Sequence, residues 1–465
     1  MSTLTLDRPL LAERPATVTG WAPLAVVLAG TFVTFLDFFI VNVALPAMAV
    51  DLHAGPAALS LVVAGYGLTF AAGMITGGRL GDIYGRRRMF TIGLALFTIT
   101  SAACGLAPTA GLLVAARLLQ GAAGALLTPQ VLAILGTTYE GERRGTAFAV
   151  YGFAMGIAGV LGQLLGGALI QADLAGLGWR TIFLINVPVG LAALPLVRRY
   201  VPESRGPSAR LDLTGTLLGT GAVAALVLPL VEGREHGWPV WCWLSLAAAP
   251  VLTATFVATQ ARPGRTPLID LTLFRSRSFT IGSLAALTFA LVPSSFFFVL
   301  ALYLQQGRGY SALFSGVVFA AVGAGYFAAL VVATPLAARL GRQVLALGSG
   351  FGAAGALLLA EDANAGSAWA LTPGLALVGL GIGLVLVPLS STVLAGVDGR
   401  LAGAAAGVLS TAQQVGGAVG VAVIGTVFFA AGSVTHAFVV SLAVVAGLTL
   451  LTAGLAQLLR PQPCK

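Results

Sequence analysis

The chain is dominated by uninterrupted apolar runs of about twenty residues, each long enough for a helix to cross a bilayer at about 1.5 Å per residue. In hydrocarbon every backbone amide and carbonyl must be satisfied within the protein, so such runs fold as helices. Outer-membrane strands alternate polar and apolar positions, whereas these runs are apolar throughout, which favours a helical bundle over a barrel. Hydrophobic residues make up 58% of the 465 residues and charged residues only 9%, against roughly 25% charged in a soluble domain. With a mean hydropathy of +0.96, the chain has too few polar residues to cover a soluble globule. The expected class is all-α and integral to the membrane.

Runs bounded by charge, Gly or Pro number fourteen. They lie near 22–46, 57–77, 89–107, 110–136, 147–170, 181–197, 212–231 and 240–260, then near 280–304, 312–338, 343–360, 371–396, 402–429 and 434–459. With the N-terminus in the cytoplasm, twenty-one of the twenty-five Lys and Arg fall on the inner side. Arg180, Arg234 and Arg308 fall outside, and Arg117 lies within span 4. That asymmetry is the positive-inside pattern, and it places both termini in the cytoplasm. The net charge of +9 therefore reflects topology rather than nucleic-acid binding. The first run is too long for a signal-peptide core and shows no cleavage site, so it reads as a retained helix.

Two short basic turns suggest an internal repeat: GGRLGDIYGRRR at 77–88 follows span 2, and TPLAARLGRQ at 334–343 follows span 10. Pairing them matches spans 1–6 with spans 9–14 and leaves spans 7 and 8 as an insert. The expected organisation is a tail over 1–21, a six-helix half over 22–200 and a linker with two inserted helices over 201–265. A second six-helix half follows over 266–460, with a tail over 461–465. Two pseudo-symmetric halves around a central cavity form a transporter architecture.

Of sixteen Asp and Glu residues, Asp37 alone falls inside a long apolar run. A carboxylate at membrane depth is costly and persists where protons or ions pass. Cys104, Cys242 and Cys464 suggest neither a disulfide framework nor a metal site. The sequence contains no Walker A motif, and Lys465 is its one lysine, so ATP hydrolysis is not the expected energy source. Neither a metal-ligand cluster nor a serine nucleophile with partners is evident, and no cofactor is expected. A gradient must then drive any transport, and a lone carboxylate suits protons.

Several segments resemble the major facilitator superfamily, specifically its fourteen-helix drug/proton antiporter branch. FLDFFIVNVALP at 35–46 is similar to that branch's first-helix motif, and GGRLGDIYGRRR at 77–88 to the superfamily's loop motif between helices 2 and 3. RLLQGAAGALLTP at 117–129 resembles the fourth-helix motif, and GVLGQLLGGAL at 159–169 the antiporter motif of helix 5. GWRTIFLINVPVG at 178–190 and TAQQVGGAVGVAVIGTV at 411–427 are also similar to segments of that branch. Two positions depart from the pattern: Phe39 stands where Thr is usual, and Gln163 where Pro is usual. The resemblance implies a monomeric multidrug efflux antiporter of the bacterial cytoplasmic membrane, working by alternating access. It would exchange a small amphipathic drug or antibiotic for protons. A narrow exporter or importer of one metabolite on the same fold is the alternative. A membrane enzyme or sensor would need a second buried polar cluster or a soluble output domain.

Depth arithmetic puts Asp37 roughly 13 Å and Arg117 roughly 10 Å from the outer ends of their helices, so the two can meet. The arginine favours an ionised carboxylate and desolvation a protonated one, a balance suited to loading and releasing a proton. The same pair would also serve as a fixed tie between helices 1 and 4. Phe38, Asn42, Gln120, Gln163, Phe297, Gln413 and Gln414 are candidates to line a substrate cavity, the amides serving equally as interhelical glue. Phe39, Phe296, Phe298 and Tyr303 extend the aromatic set. Gly78, Arg79, Gly81, Asp82, Gly85 and Arg86 form the turn that the resemblance implies is a conformational latch. Asp82 is expected to pair with Arg79 or Arg86 and to cap a helix. Gly152, Gly156, Gly159, Gly162, Gly166 and Gly167 are expected to form one close-packing stripe on span 5.

Overall fold

A computed structural model describes residues 20–206, 212–233, 235–262, 269–395, 397 and 402–459. Most of the N-terminal tail, Arg234 and the C-terminal tail lie outside these residues. Among the described residues fourteen helices are long and apolar enough to cross a membrane, which bears out the expected class. They are α1 (Ala22–Asp51), α2 (Pro56–Tyr84), α3 (Arg86–Gly105), α4 (Ala110–Thr138), α5 (Gly141–Ala172) and α6 (Gly178–Tyr200). Then come α7 (Leu213–Glu232), α8 (Val240–Gln260), α9 (Arg277–Leu302), α10 (Ala312–Leu340), α11 (Gln343–Glu361), α12 (Thr372–Ala395), α13 (Ala402–Ala430) and α14 (Val434–Gln457).

Several helices outrun the apolar runs that mark them. α1 continues through Pro46 to Asp51, where the carboxylate accepts from Trp179 and Arg180. The 77–88 motif is mostly helical rather than a loop. It forms the last two turns of α2 and the first of α3, and only Gly85, at φ 105°, makes the turn. That positive φ strains any residue with a Cβ. Gly77 and Gly81 instead admit α4: a Cβ at either would run into Ala125 or Gln130.

Helices α1–α6 and α9–α14 repeat one set of pairings. α2 packs on α4 as α10 packs on α12, α1 on α5 as α9 on α13, and α3 on α6 as α11 on α14. The two sets meet along α5 with α10 and along α2 with α13. α7 and α8 pair with each other, and α7 bridges the sets by contacting both α2 and α13. Thr76 meets Thr216 at 2.8 Å, and Thr426 donates to the Leu230 carbonyl at 2.6 Å. In a bilayer, packing of this kind rather than hydrophobic transfer holds helices together, so small residues gather at the contacts.

The glycines of α5 correct the expectation of one stripe. Gly159, Gly162 and Gly166 face Phe39, Ile40 and Val43 of α1, whereas Gly156 and Gly167 face Tyr326 and Ala312 of α10. At 100° per residue these are two stripes roughly 90° apart. α5 is thus wedged between its own half and the other. Gly152 meets nothing within 4 Å.

Candidate functional site

Asp37 of α1 and Arg117 of α4 are both fully buried and form an ion pair, Nη1 to Oδ2, at 2.5 Å. Gln120 follows Arg117 by three residues, so the two share a face of α4. Its Nε2 donates to Asp37 Oδ1 at 3.0 Å and to Ser101 Oγ of α3 at 2.7 Å. Its Oε1 accepts from Arg117 Nη1 at 2.7 Å and from Cys104 Sγ at 3.4 Å. Asn186 of α6 completes the cage, donating from Nδ2 to Asp37 Oδ1 at 2.8 Å and to Ser101 Oγ at 3.3 Å. The carboxylate therefore takes three hydrogen bonds from three residues.

Arg117 is anchored by three further contacts. Its Nε donates to the Val62 carbonyl of α2 at 3.0 Å, and its guanidinium lies 4.2 Å from the centre of the Tyr66 ring. The Phe183 ring lies 5.6 Å away; among the described residues Nη2 meets no hydrogen-bond acceptor, and the two ring faces help stabilise the cation. Five helices of one half, α1, α2, α3, α4 and α6, meet at this charge pair. Adding a proton to Asp37 would leave a buried guanidinium without its counter-ion, which is unfavourable unless its surroundings also change.

Beside this cluster is a cavity of about 380 Å³, lined by Phe32, Leu36, Leu165, Ile185, Val189 and Asn186 among others. Asn186 borders the space on one side and holds Asp37 on the other. Sequence reading passed over Asn186, Ser101 and Tyr66. The available signal was a lone amide in the apolar run around position 186, a weak mark beside a charge.

The candidate cavity residues divide into three groups. Gln120 sits wholly within the Asp37 network. Phe38, Phe39 and Phe297 form an aromatic row that starts at Tyr66 and ends at Phe319. Successive ring centres are 5.9, 5.2, 5.7 and 5.8 Å apart, and the row crosses from α2 and α1 to α9 and α10. Asn42 and Gln163 lie beside it: Asn42 Nδ2 donates to the Phe39 carbonyl at 3.0 Å and Gln163 Nε2 to the same carbonyl at 2.8 Å. Gln413 and Gln414 are half-buried on α13, apart from the network around Asp37. Phe296, Phe298 and Tyr303 are fully buried. Phe298 packs on Phe429, and Tyr303 stacks on Phe438 while donating to the Ala363 carbonyl.

In the basic turn, Asp82 pairs with Arg86 at 3.0 Å. The helix cap expected of Asp82 is supplied instead by Glu203, whose carboxylate accepts from the backbone of Arg87 at 3.0 Å and of Arg88 at 3.2 Å. An anion there complements the free amides and dipole at the start of α3. Asp82 contributes its carbonyl, which accepts from the Gly206 amide at 3.1 Å. Gly78 sits against Pro129 of α4, and Arg79 is partly buried on α2.

The sequence profile of the Major Facilitator Superfamily matches residues 27–421. A probable actinorhodin transporter of Streptomyces coelicolor is 38% identical over 432 residues, covering 90% of this chain and 74% of that protein. The puromycin resistance protein of Streptomyces alboniger is 36% identical, covering 94% and 91%. A cephamycin export protein of Amycolatopsis lactamdurans is 38% identical, covering 88% and 85%. Among solved structures, a peptide transporter in complex with sulfate superposes with a TM-score of 0.70 at 17% identity, over 97% of this chain and 98% of that one. A D-xylose-proton symporter gives 0.69 at 14% identity, over 96% and 99%. At those identities the structures speak for the fold alone. The profile and the curated relatives, joined to fourteen membrane-length helices, show that the chain belongs to the major facilitator superfamily and is a membrane transporter.

Proposed function

We propose that this transporter exports small amphipathic molecules in exchange for protons, with Asp37 as the proton carrier and alternating access as the cycle. The observation that carries the reading is the fully buried Asp37–Arg117 pair, confined to one half and wrapped by five helices. A proton arriving at Asp37 cancels the charge that holds Arg117, so protonation and helix rearrangement are coupled. The contacts between halves support a cycle in which the face opposite the arginines is the closed one here. Gln305 donates to the Val43 carbonyl across the halves at 2.7 Å, and Gly167 abuts Ala312. The arginine-rich face is read as cytoplasmic, with both termini on that side. The turn around Gly85 then serves as a conformational latch, with its Asp82–Arg86 pair tied to residues 203–206.

Export rather than import is supported by the names of the relatives, which include a resistance protein and an export protein. The same names favour a second reading. Each refers to one antibiotic, as a narrow exporter of a single natural product would. Asp37 is the one buried carboxylate among the described residues, which points to neutral, monocationic or zwitterionic substrates. The test is efflux of a panel of lipophilic compounds from cells expressing the protein, with and without an uncoupler. Uncoupler-sensitive efflux of several unrelated compounds is expected. Efflux of one compound alone would favour the narrow reading, and a dicationic dye as best substrate would overturn the charge argument.

A further inference from the structure

The two positions where the chain departs from the motifs it resembles, Phe39 and Gln163, touch each other. Gln163 Nε2 and Asn42 Nδ2 both donate to the Phe39 carbonyl, at 2.8 and 3.0 Å. Each amide nitrogen donates to that one acceptor, and among the described residues no donor reaches the buried amide oxygens, Gln163 Oε1 and Asn42 Oδ1. Both residues are 2% exposed. Leaving a buried acceptor unpaired is costly. By contrast, the exposed pair Gln343 and Gln457 bond each other reciprocally, at 3.2 and 3.0 Å, so both ends of each amide are used.

The surroundings indicate what would satisfy the two oxygens. The Phe39 ring lies against Gly159, which has no side chain to fill the space beside it, and 5.7 Å from the Phe297 ring of the other half. Phe319 continues the aromatic wall at 5.8 Å from Phe297. Both acceptors are uncharged amide oxygens, and Asp37 is engaged by Arg117, Gln120 and Asn186. Gly316 of α10 presses on the backbone of Gln163 and Leu164. The backbone of Gln163 therefore lies in the contact between halves, so separation of α5 from α10 would open that side of the residue.

We propose that Gln163 and Asn42, with the rings of Phe39 and Phe297, form a substrate subsite that selects aromatic molecules carrying a hydroxyl or amine donor over donor-free analogues. The inference deepens the export reading and rests on it for the word substrate. Its physical content is binding: a ligand O–H or N–H reaching Gln163 Oε1 or Asn42 Oδ1 satisfies an acceptor that an ether leaves unpaired.

The test uses purified full-length protein and two probes, 2-naphthol and its methyl ether, with affinity read from quenching of their fluorescence. The expected result is about tenfold tighter binding of the naphthol by wild type. Gln163→Met, which keeps volume and removes the acceptor, should bring the ratio near one while leaving ether affinity within about twofold. Asn42→Leu provides a second variant and should also lower the ratio. Asp37→Asn should keep the wild-type ratio, which separates this subsite from the proton mechanism. Equal affinity for the two probes, no binding of either, or an unchanged ratio in both amide variants would overturn the proposal.

Discussion

The Asp37–Arg117 pair makes a sharp energetic prediction. Both side chains are fully buried, with nitrogen and oxygen 2.5 Å apart. Asp37→Leu removes the acceptor for Arg117, Gln120 and Asn186 and leaves a guanidinium held by the Val62 carbonyl, Gln120 Oε1 and the Tyr66 ring. Removing one partner of a buried pair costs about 3–5 kcal/mol, whereas replacing both by apolar residues is often near neutral. In Asp37→Leu/Arg117→Leu, Gln120 and Asn186 lose their carboxylate but keep Ser101 as acceptor. A residual loss of about 1–2 kcal/mol is therefore expected. The assay is reversible unfolding in mixed micelles by titration with a denaturing detergent, arranged as a double-mutant cycle. The double variant should be more stable than either single one. Losses that simply add, giving a double variant worse than both singles, would refute the claim that the charges stabilise each other at this site.

Other predictions test the packing around the site. Gly167→Val places a branched side chain against the backbone of Ala312 and Leu313 across the halves. It should cut transport about tenfold or more with folding retained, and wild-type rates of substrate efflux would contradict the close contact. Glu203→Ala removes the acceptor for two amides at the start of α3. It should lower unfolding free energy by about 1 kcal/mol, measured in the same mixed micelles, and an unchanged value would show that the cap is not stabilising. Asn186→Leu withdraws one of three hydrogen bonds on Asp37. It should slow proton-driven transport more than substrate exchange without a gradient, and equal slowing of both would point to a structural role alone.

Charge made the centre of the site legible in the sequence. An Asp and an Arg isolated in apolar runs have few partners at their depth, and helical rise alone brings Asp37 level with Arg117. Gln120 follows from its three-residue spacing, but its assignment to the charge pair rather than to a cavity depended on where α3 and α6 lie. Asn186 carries no charge and marks its apolar run only as a lone amide, so the packing of α6 on α1 is what reveals its role. The fourteen helices were readable because length and apolarity suffice to mark a span. Their ends were less so: a helix continues past the hydrocarbon wherever caps and backbone bonds allow, as α1 does through Pro46. The glycines of α5 look like one stripe because steps of three and four residues on a helix drift around its axis. Only contact with α1 on one side and α10 on the other separates them into two. Glu203 was hidden because its partner is a helix start more than a hundred residues away.

Whether Asp37 couples protons to substrate is tested most directly by substrate flux in liposomes containing purified protein under an imposed pH gradient. Wild type should concentrate an exported lipophilic dye against its gradient and lose that ability when a protonophore is added. Asp37→Asn should no longer concentrate the dye, yet should still exchange labelled for unlabelled dye at equal concentrations, because substrate contacts remain while the proton carrier is gone. Protonophore-sensitive accumulation by Asp37→Asn at the wild-type level would contradict coupling at Asp37 and place the coupling group elsewhere.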